Sequence, residues 1–245
     1  TGSFTADNKV YDGTTAATFT GGTLQGLVGS EQLTVSSLSG VFADRNVGTG
    51  KAVTLSAATL ADGTGHASNY TLAAPSGLAA DITPKALTVA GITAADKTYD
   101  GTTAATVSVA HAQLSGLVAG DDVSVTSTGT FADKNVGNAK TVTLANTYGG
   151  ADVGNYAITG QSSVTAAISP SVAIVYGITA ADKVYDGSTA ATVSTTGAVV
   201  QGLVAGDDVH LTSTGTFADN NAGNAKTVTL SNSYSGADTG NYLIV

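Results

Sequence analysis

The sequence predicts an all-β protein built of tandem, small antiparallel β-sandwich domains that together form an elongated rod. Two observations predict the β class: apolar and polar residues alternate with a period of two, as in Thr141–Leu144, and Thr and Val are abundant. A third observation, the recurrence of the same strings along the 245 residues, predicts the tandem arrangement.

Two strings recur three times in a fixed order. Tyr-Asp-Gly occupies positions 11–13, 99–101 and 185–187, and Phe-Ala-Asp-x-Asn-x-Gly begins at Phe42, Phe131 and Phe217. Residues 94–159 and 180–245 align without a gap and differ at 18 of 66 positions. Similarity of this degree over that length indicates duplicated units rather than shared composition.

The repeats predict three domains, at residues 1–84, 85–170 and 171–245. The second is framed by Ile82-Thr83-Pro84 and Ile168-Ser169-Pro170. Against this frame, the first repeat lacks an opening strand and the third lacks a closing strand. Alternation within the second repeat predicts strands near 86–92, 104–110, 122–127, 129–132, 140–146, 155–160 and 163–169, with one helical turn over Leu114–Ala119.

Composition excludes several classes of function. The chain has no Cys, so disulfides, thiol catalysis and cysteine metal sites are absent, which suits export through an oxidising compartment. A net charge of −9 argues against nucleic acid and anionic membranes as partners, and no apolar run is long enough to insert into a membrane. His66, His111 and His210 lie at non-equivalent positions, and no hydrolase or phosphate-binding motif is present. We therefore predict no enzymatic activity and no cofactor apart from the calcium considered below.

The recurring strings have a structural interpretation. Asp100-Gly101 supplies a tight turn with positive φ, while Tyr99 lies on the sheet edge and its hydroxyl hydrogen-bonds. Phe131 fills the end of the core, and the Asp, Asn and Gly that follow it form a loop. Gly154-Asn155-Tyr156 is a turn that enters a strand.

The carboxylates raise a metal hypothesis. Calcium binds six to eight oxygens from neighbouring loops. Asp121 and Asp122, together with Asp133 or Asp152, could begin such a site. The alternative is a solvated acidic surface, since no Asp-x-Asp-x-Asp-Gly loop is present.

The lysines raise a second hypothesis, because six of the eight recur in register. A buried lysine beside an asparagine amide and a protonated carboxyl can form an intramolecular isopeptide bond, and burial would shift both pKa values in the required direction. The candidates are the amines of Lys97 or Lys140, the amides of Asn135 or Asn155, and the carboxyls of Asp96 or Asp133. The alternative is an edge lysine or a surface ion pair.

The strings Asp96–Ala105, Gly116–Asp121, Phe131–Gly137 and Gly154–Tyr156 resemble the YDG-type repeat of large bacterial surface proteins related to filamentous haemagglutinins. The resemblance covers the chain three times. It implies Ig-like or β-grasp-like domains in a cell-surface or secreted, outer-membrane-associated stalk of a mostly Gram-negative adhesin, with a place in cell attachment and biofilm. It implies no catalytic residues, and the partners would be host or neighbouring-cell glycan or protein, or like chains in a filament. The third repeat departs at Asn220, where the second has Lys134.

Overall fold

The structure is a computed structural model that describes all residues from Thr1 to Val245. It is all-β, as predicted, and its helical turns are three short 3₁₀ helices at Ala67–Asn69, Val153–Asn155 and Thr239–Asn241. No helix has the length and hydropathy needed to cross a membrane.

The strands are described repeat by repeat. The first repeat contains β1 (Gly2–Ala6), β2 (Lys9–Val10), β3 (Ala16–Ala17), β4 (Phe19–Leu24), β5 (Leu33–Phe42), β6 (Gly48–Asp62) and β7 (Ala79–Thr83). The second contains β8 (Lys85–Ala90), β9 (Thr93–Ala94), β10 (Lys97–Thr98), β11 (Ala104–Ala105), β12 (Val107–Ser108), β13 (Gln113–Ser115), β14 (Ser124–Phe131), β15 (Gly137–Gly149), β16 (Tyr156–Thr159) and β17 (Ser163–Ser169). The third contains β18 (Ser171–Tyr176), β19 (Thr179–Ala180), β20 (Ala190–Ala191), β21 (Val193–Ser194), β22 (Val199–Gln201), β23 (His210–Phe217), β24 (Val228–Ser235) and β25 (Tyr242–Ile244).

The sheets are mixed rather than purely antiparallel. In the second repeat the order β10-β17-β15-β14-β11 forms one sheet and β13-β8-β16 another. β17 runs parallel to β10 and antiparallel to β15, and β16 runs parallel to β8. The corresponding five-stranded sheet of the first repeat has the order β2-β7-β6-β5-β3, with β7 again parallel to β2.

Several local predictions need correction. The segments predicted as two strands, 122–127 and 129–132, are the single strand β14, and the strand predicted at 104–110 is two short pieces, β11 and β12. The helical turn predicted over Leu114–Ala119 is wrong: β13 ends at Ser115, and Gly116 and Gly120 have φ values of 102° and 91°. Such φ values lie outside the right-handed helical region, so they prevent a helix there.

The compact units of the fold do not coincide with the sequence repeats. One unit comprises Thr1–Gly91, His111–Thr126 and Asn146–Gln161, and the other comprises Ile92–Ala110, Ser127–Ala145 and Ser162–Val245. The second repeat therefore contributes to both units. The domain boundaries at 84 and 170 stay predictions, because they describe the duplication in the sequence and not these units.

The core of the first unit contains residues of two repeats. Tyr11, Phe42 and Ile82 from the first repeat are in one buried cluster with Leu87 and Tyr156 from the second. Each of the three from the first repeat is at most 2% exposed. Burial of this apolar surface is the main stabilising contribution in a chain of this composition, and here it requires both repeats.

Candidate inter-repeat junction

The Tyr-Asp-Gly turn is held locally by the lysine that precedes it. Lys97 Nζ donates to Asp100 Oδ1 at 2.7 Å and to the carbonyl oxygens of Thr102 and Ala104 at 2.8 and 3.1 Å. It also lies 5.6 Å from the centre of the Phe131 ring. The hydrogen bond from Lys97 is the largest of the effects that lower the pKa of Asp100 to about 2. Lys9 and Lys183 make the same contacts in the other repeats.

The glycine of the turn has two roles. Gly101 has a φ of 76°, where a side chain is strained. A Cβ at this position would also lie 2.7 Å from Cγ1 of Val204, which belongs to the following repeat. Gly13 is equivalent, with a φ of 80° and Val118 Cγ1 at the same 2.7 Å. The turn thus packs against the Gly-Leu-Val loop of the next repeat.

The tyrosine of the turn reaches a carboxylate of the next repeat. Tyr11 Oη donates to Asp121 Oδ2 at 2.8 Å, and Tyr156 Oη donates to the same oxygen at 2.5 Å. The two rings meet edge to face, with centroids 5.6 Å apart. Tyr156 Oη also accepts the backbone N–H of Val118 at 2.9 Å. One carboxylate therefore joins two tyrosines from consecutive repeats.

A basic side chain completes this cluster, which we call the first junction (Tyr11, Arg45, Asp121, Asp152 and Tyr156). Arg45 Nη1 is 2.8 Å from Asp121 Oδ1, and Arg45 Nη2 is 2.5 Å from Asp152 Oδ1. The Asp121 side chain is fully buried, whereas the Arg45 side chain is 39% exposed. A buried carboxylate needs partners for its charge, and three donors supply them.

The second junction repeats this arrangement with Tyr99, Lys134, Asp207, Asp238 and Tyr242. Tyr99 and Tyr242 donate to Asp207 Oδ2 at 2.8 and 2.5 Å. Lys134 Nζ lies 2.9 Å from both Asp207 Oδ1 and Asp238 Oδ1, and 5.8 Å from the centre of the Tyr99 ring. A point-like ammonium thus replaces the forked guanidinium of Arg45.

Asparagine amides bind the backbone of the neighbouring repeat beside each junction. Asn155 Oδ1 accepts the N–H of Val47 at 2.9 Å, and its Nδ2 donates to Asn46 Oδ1 at 3.3 Å. Asn241 makes the same pair of bonds to Val136 and Asn135. Asn155 and Asn241 are 5% and 4% exposed, and their buried amides find hydrogen-bond partners across the repeat boundary.

The junction shifts the pKa values of its groups. Burial, followed by the hydrogen bond to Asp121, raises the pKa of Tyr11 to about 12. Burial would raise the pKa of Asp121, but hydrogen bonds from Tyr156, Tyr11 and Arg45 outweigh it and the pKa lies below its usual value. Asp207 behaves in the same way with Lys134, Tyr242 and Tyr99. The carboxylates are thereby held ionised and the phenols neutral.

The four carboxylates proposed to bind calcium do not form one group. Asp121 and Asp152 meet, but around the guanidinium of Arg45. Asp122 Oδ2 accepts the N–H of Ala151, and Asp133 pairs with Lys140 at 2.7 Å. No group of three or more His, Cys, Asp or Glu side chains is close enough to hold a metal ion.

Three of the residues proposed for an isopeptide bond meet, since Lys140 Nζ and the backbone N–H of Asn135 both donate to Asp133 Oδ1. Lys97 Nζ has the partners given above, and Lys140 Nζ contacts the half-exposed carboxylate of Asp133. Asn135 and Asn155 bind across the repeat boundary, and Asp96 Oδ1 accepts the N–H of Ala167 at 2.6 Å. The amines lie at carboxylates and carbonyls, and the cross-link stays a prediction.

The recurring strings are visible in the sequence, whereas their contacts across the repeat boundary are visible only in the structure. The hydroxyl of Tyr99 was expected to hydrogen-bond, and it does, but its partner is in the following repeat. Arg45 and Tyr156 were not singled out for a site. The sequence does contain a signal for the basic residue of the junction. In the first two repeats a basic residue lies between the Asp and the Asn of the second string, and the chain has only nine Lys and Arg residues.

A family model describes all three repeats. The model of the YDG domain matches residues 2–77, 83–166 and 169–245. The chain belongs to the YDG domain family. No curated protein and no solved structure matches it. The three YDG domains correspond to the three duplicated sequence units, and the two junctions join consecutive YDG domains.

Proposed function

We propose that this tandem YDG chain is a stalk segment in the extracellular part of a bacterial surface adhesin or fibre. In this proposal, sandwich-like repeats, of Ig-like or β-grasp-like form, build a stiff rod that holds a distal binding domain away from the cell. The resemblance of the recurring strings to repeats of large surface proteins supports the location. The junction supports the mechanical role.

One observation carries the mechanical role: the first and second YDG domains share a core and a charged cluster inside one compact unit. A flexible linker would let neighbouring domains reorient at little cost. Here reorientation would expose Tyr11 and Tyr156 and remove two of the three donors of the Asp121 carboxylate, Tyr11 and Arg45. Separation of consecutive domains therefore requires unfolding part of a core.

Single-molecule force spectroscopy tests the stalk. The chain has no Cys, so cysteines placed at both ends allow handles to be attached specifically. We expect no extension at low force before the first unfolding event, and Asp121→Asn should lower the force of one event while leaving another unchanged. Glu31→Gln is the matched control, since Glu31 is the first-repeat counterpart of Asp121 and bonds Tyr70 without a basic partner. Three independent events, all insensitive to Asp121→Asn, would contradict the proposal.

The spacer form of the proposal is favoured over a form in which the repeats themselves bind a glycan or protein. Asp121 and Asp152 lie in acidic loops that could contact such a ligand, but Arg45 engages both and the Asp121 side chain is buried. Specific binding of the three-repeat chain to a glycan array would overturn the spacer form.

A further inference from the structure

The third repeat carries an apolar patch on the solvent-facing side of the three-stranded sheet β22-β18-β25. Alternate residues of a strand point to the same side of its sheet, and along β18 these are Val172, Ile174 and Tyr176, which are 53%, 49% and 50% exposed. Val199 on β22 and Leu243 on β25 are 44% and 58% exposed. In the register of the sheet Tyr176 is opposite Val199. Val172 is likewise opposite Leu243, so the five side chains form one patch, which we call the outer face.

The second repeat has small or polar residues at the same positions. Its corresponding sheet is β13-β8-β16, and the residues that face solvent there are Ala86, Thr88, Ala90, Gln113 and Ala157. Each of the five is replaced by a branched aliphatic or aromatic residue in the third repeat. This is the reverse of the usual pattern for a sheet with one side in water. The difference between otherwise similar repeats therefore points to a contact with another surface at the outer face.

The exposure of the outer face is a property of the repeat and not of its place in the chain. The second repeat has a YDG domain before it and another after it, yet Ala86, Thr88 and Ala90 on its corresponding face are exposed. Neighbouring repeats of the same chain therefore leave this face uncovered. A surface that covers it belongs to another molecule.

The chemistry of the outer face selects an uncharged, apolar partner. β18, β22 and β25 contain no charged residue, and Ser171 lies where the second repeat has Lys85. An acidic or basic partner would find no complementary charge here. The chain as a whole has a net charge of −9, so two copies repel one another at long range. At the outer face, however, two copies can meet without like charges opposite each other.

The area of the outer face sets the strength of such a contact. β18 has six residues, and three strands about 4.8 Å apart with a rise of about 3.3 Å per residue cover about 300 Å². Two copies packed face to face would bury about 600 Å² in total, about half of what a stable interface needs. An exposed apolar patch of this size on a monomer is often functional. The area therefore fits a weak, reversible contact rather than a permanent one.

We propose that the outer face is a self-association surface through which the third repeats of two chains pack sheet against sheet. A two-fold axis relates the copies, so the same side chains serve on both sides and every contact occurs twice. Ile174 lies between Val172 and Tyr176 on the central strand and is placed opposite its own counterpart in the second copy. Side chains of facing sheets interdigitate across a distance of about 10 Å. The inference goes beyond the stalk function and does not depend on it, because it concerns the contact between chains.

Exchange of the outer face for that of the second repeat tests the proposal. Sedimentation equilibrium of the 245-residue chain should give a mass that rises from one chain towards two as the concentration increases to the millimolar range. The exchange variant should keep the mass of one chain, and it carries Val172→Ala, Ile174→Thr, Tyr176→Ala, Val199→Gln and Leu243→Ala. Each new residue is already present at the equivalent position of the second repeat, so the fold accommodates it.

A matched pair of single variants locates the contact. Ile174→Asp places a charge at the centre of the outer face and should weaken the dimer at least about tenfold, because the charge would be buried opposite its copy. Thr88→Asp makes the same change of charge at the equivalent exposed position of the second repeat and should leave the dissociation constant nearly unchanged. Circular dichroism of both variants checks that the β fold is intact.

Cross-linking tests the two-fold symmetry. The chain has no Cys, so Ile174→Cys and Thr88→Cys each provide a single thiol, and Cys keeps the character of a small apolar side chain. Facing sheets lie about 10 Å apart, a distance that a short bismaleimide spans. The reagent should join two Ile174→Cys chains and should join few Thr88→Cys chains.

Three outcomes would overturn the proposal. The first is the mass of one chain at millimolar concentration, the second is equal weakening by Ile174→Asp and Thr88→Asp, and the third is equal cross-linking of the two cysteine variants. If the chain stays monomeric and binds phosphatidylcholine vesicles, whereas the exchange variant does not, a lipid surface is the occupant and the assignment of a second copy is wrong.

Discussion

The Tyr-Asp-Gly turns of the second and third repeats have the same local geometry in opposite surroundings. Gly101 and Gly187 have φ values of 76° and 77°, and each turn is held by its own lysine. Tyr99, however, is 3% exposed and Tyr185 is 65% exposed. The local sequence therefore determines the turn, whereas its burial comes from a closing strand and the loop of a following repeat.

The largest loss of stability is expected from a change of the Asp121 carboxylate, which side chains of two repeats bind. Asp121→Asn removes the charge that three donors of the first junction engage, so it should lower the free energy of unfolding by about 2–4 kcal/mol. Urea denaturation measures this loss. Glu31→Gln, at the counterpart that binds only a tyrosine of its own repeat and the surrounding backbone, should cost clearly less. Equal losses would show that Asp121 acts within its own repeat.

Alanine variants of two turn glycines test whether the turn packs closely against the next repeat. Gly13→Ala and Gly187→Ala both place a side chain at positive φ, but only at Gly13 would the new Cβ meet a valine of the next repeat. We expect the loss of stability at Gly13 to exceed that at Gly187 by about 1–3 kcal/mol, the usual cost of overpacking. If the two variants melt alike, the turn does not pack closely against the next repeat in solution.

Removal of the Tyr11 hydroxyl measures how much its hydrogen bond to Asp121 contributes to stability. Tyr11→Phe keeps the buried ring but removes the donor to Asp121, at an expected cost of about 1.5 kcal/mol or somewhat more for a bond to a charged group. Tyr185→Phe, in the exposed turn, should change stability by less than about 0.5 kcal/mol. Thermal or urea unfolding of both variants makes the comparison, and a null effect of Tyr11→Phe would rule out a stabilising bond.

The dependence of stability on alkaline pH tests the same hydrogen bond of Tyr11. Because the pKa of Tyr11 is raised to about 12, its contribution is complete below the pKa of an unfolded tyrosine, about 10, and is lost as the pH rises towards 12. The chain should lose stability in this window, and Tyr11→Phe should lose less. Urea midpoints measured across the window test this, and parallel profiles would contradict the raised pKa.

The β class and the repeat could be predicted because each depends on residues that are close together in the sequence. Alternation in Thr141–Leu144 requires only neighbouring residues, and Tyr-Asp-Gly recurs as a string. The prediction of a helical turn near Leu114 is wrong because two glycines there have positive φ values, which the sequence pattern does not reveal. The break predicted between the strands at 122–127 and 129–132 is absent, because Ser124–Phe131 form one continuous strand.

The junction could not be predicted, for a reason specific to tandem repeats. Tyr11 and Asp121 are 110 positions apart, and Arg45 and Asp121 are 76 apart. A tyrosine could pair with the acidic loop of its own repeat or with that of the next, and nearly identical repeats offer chemically equivalent partners for both. Only the path of the chain in three dimensions distinguishes them.

The contacts of the second junction match those of the first almost atom for atom, with lysine in place of arginine. The turns of the first and second repeats should therefore each fit the acidic loop of either the second or the third repeat. Loss or gain of one whole repeat by recombination would bring a new turn against a new loop with the same complementary groups. The length of such an array can change between generations of a gene without redesign of its contacts.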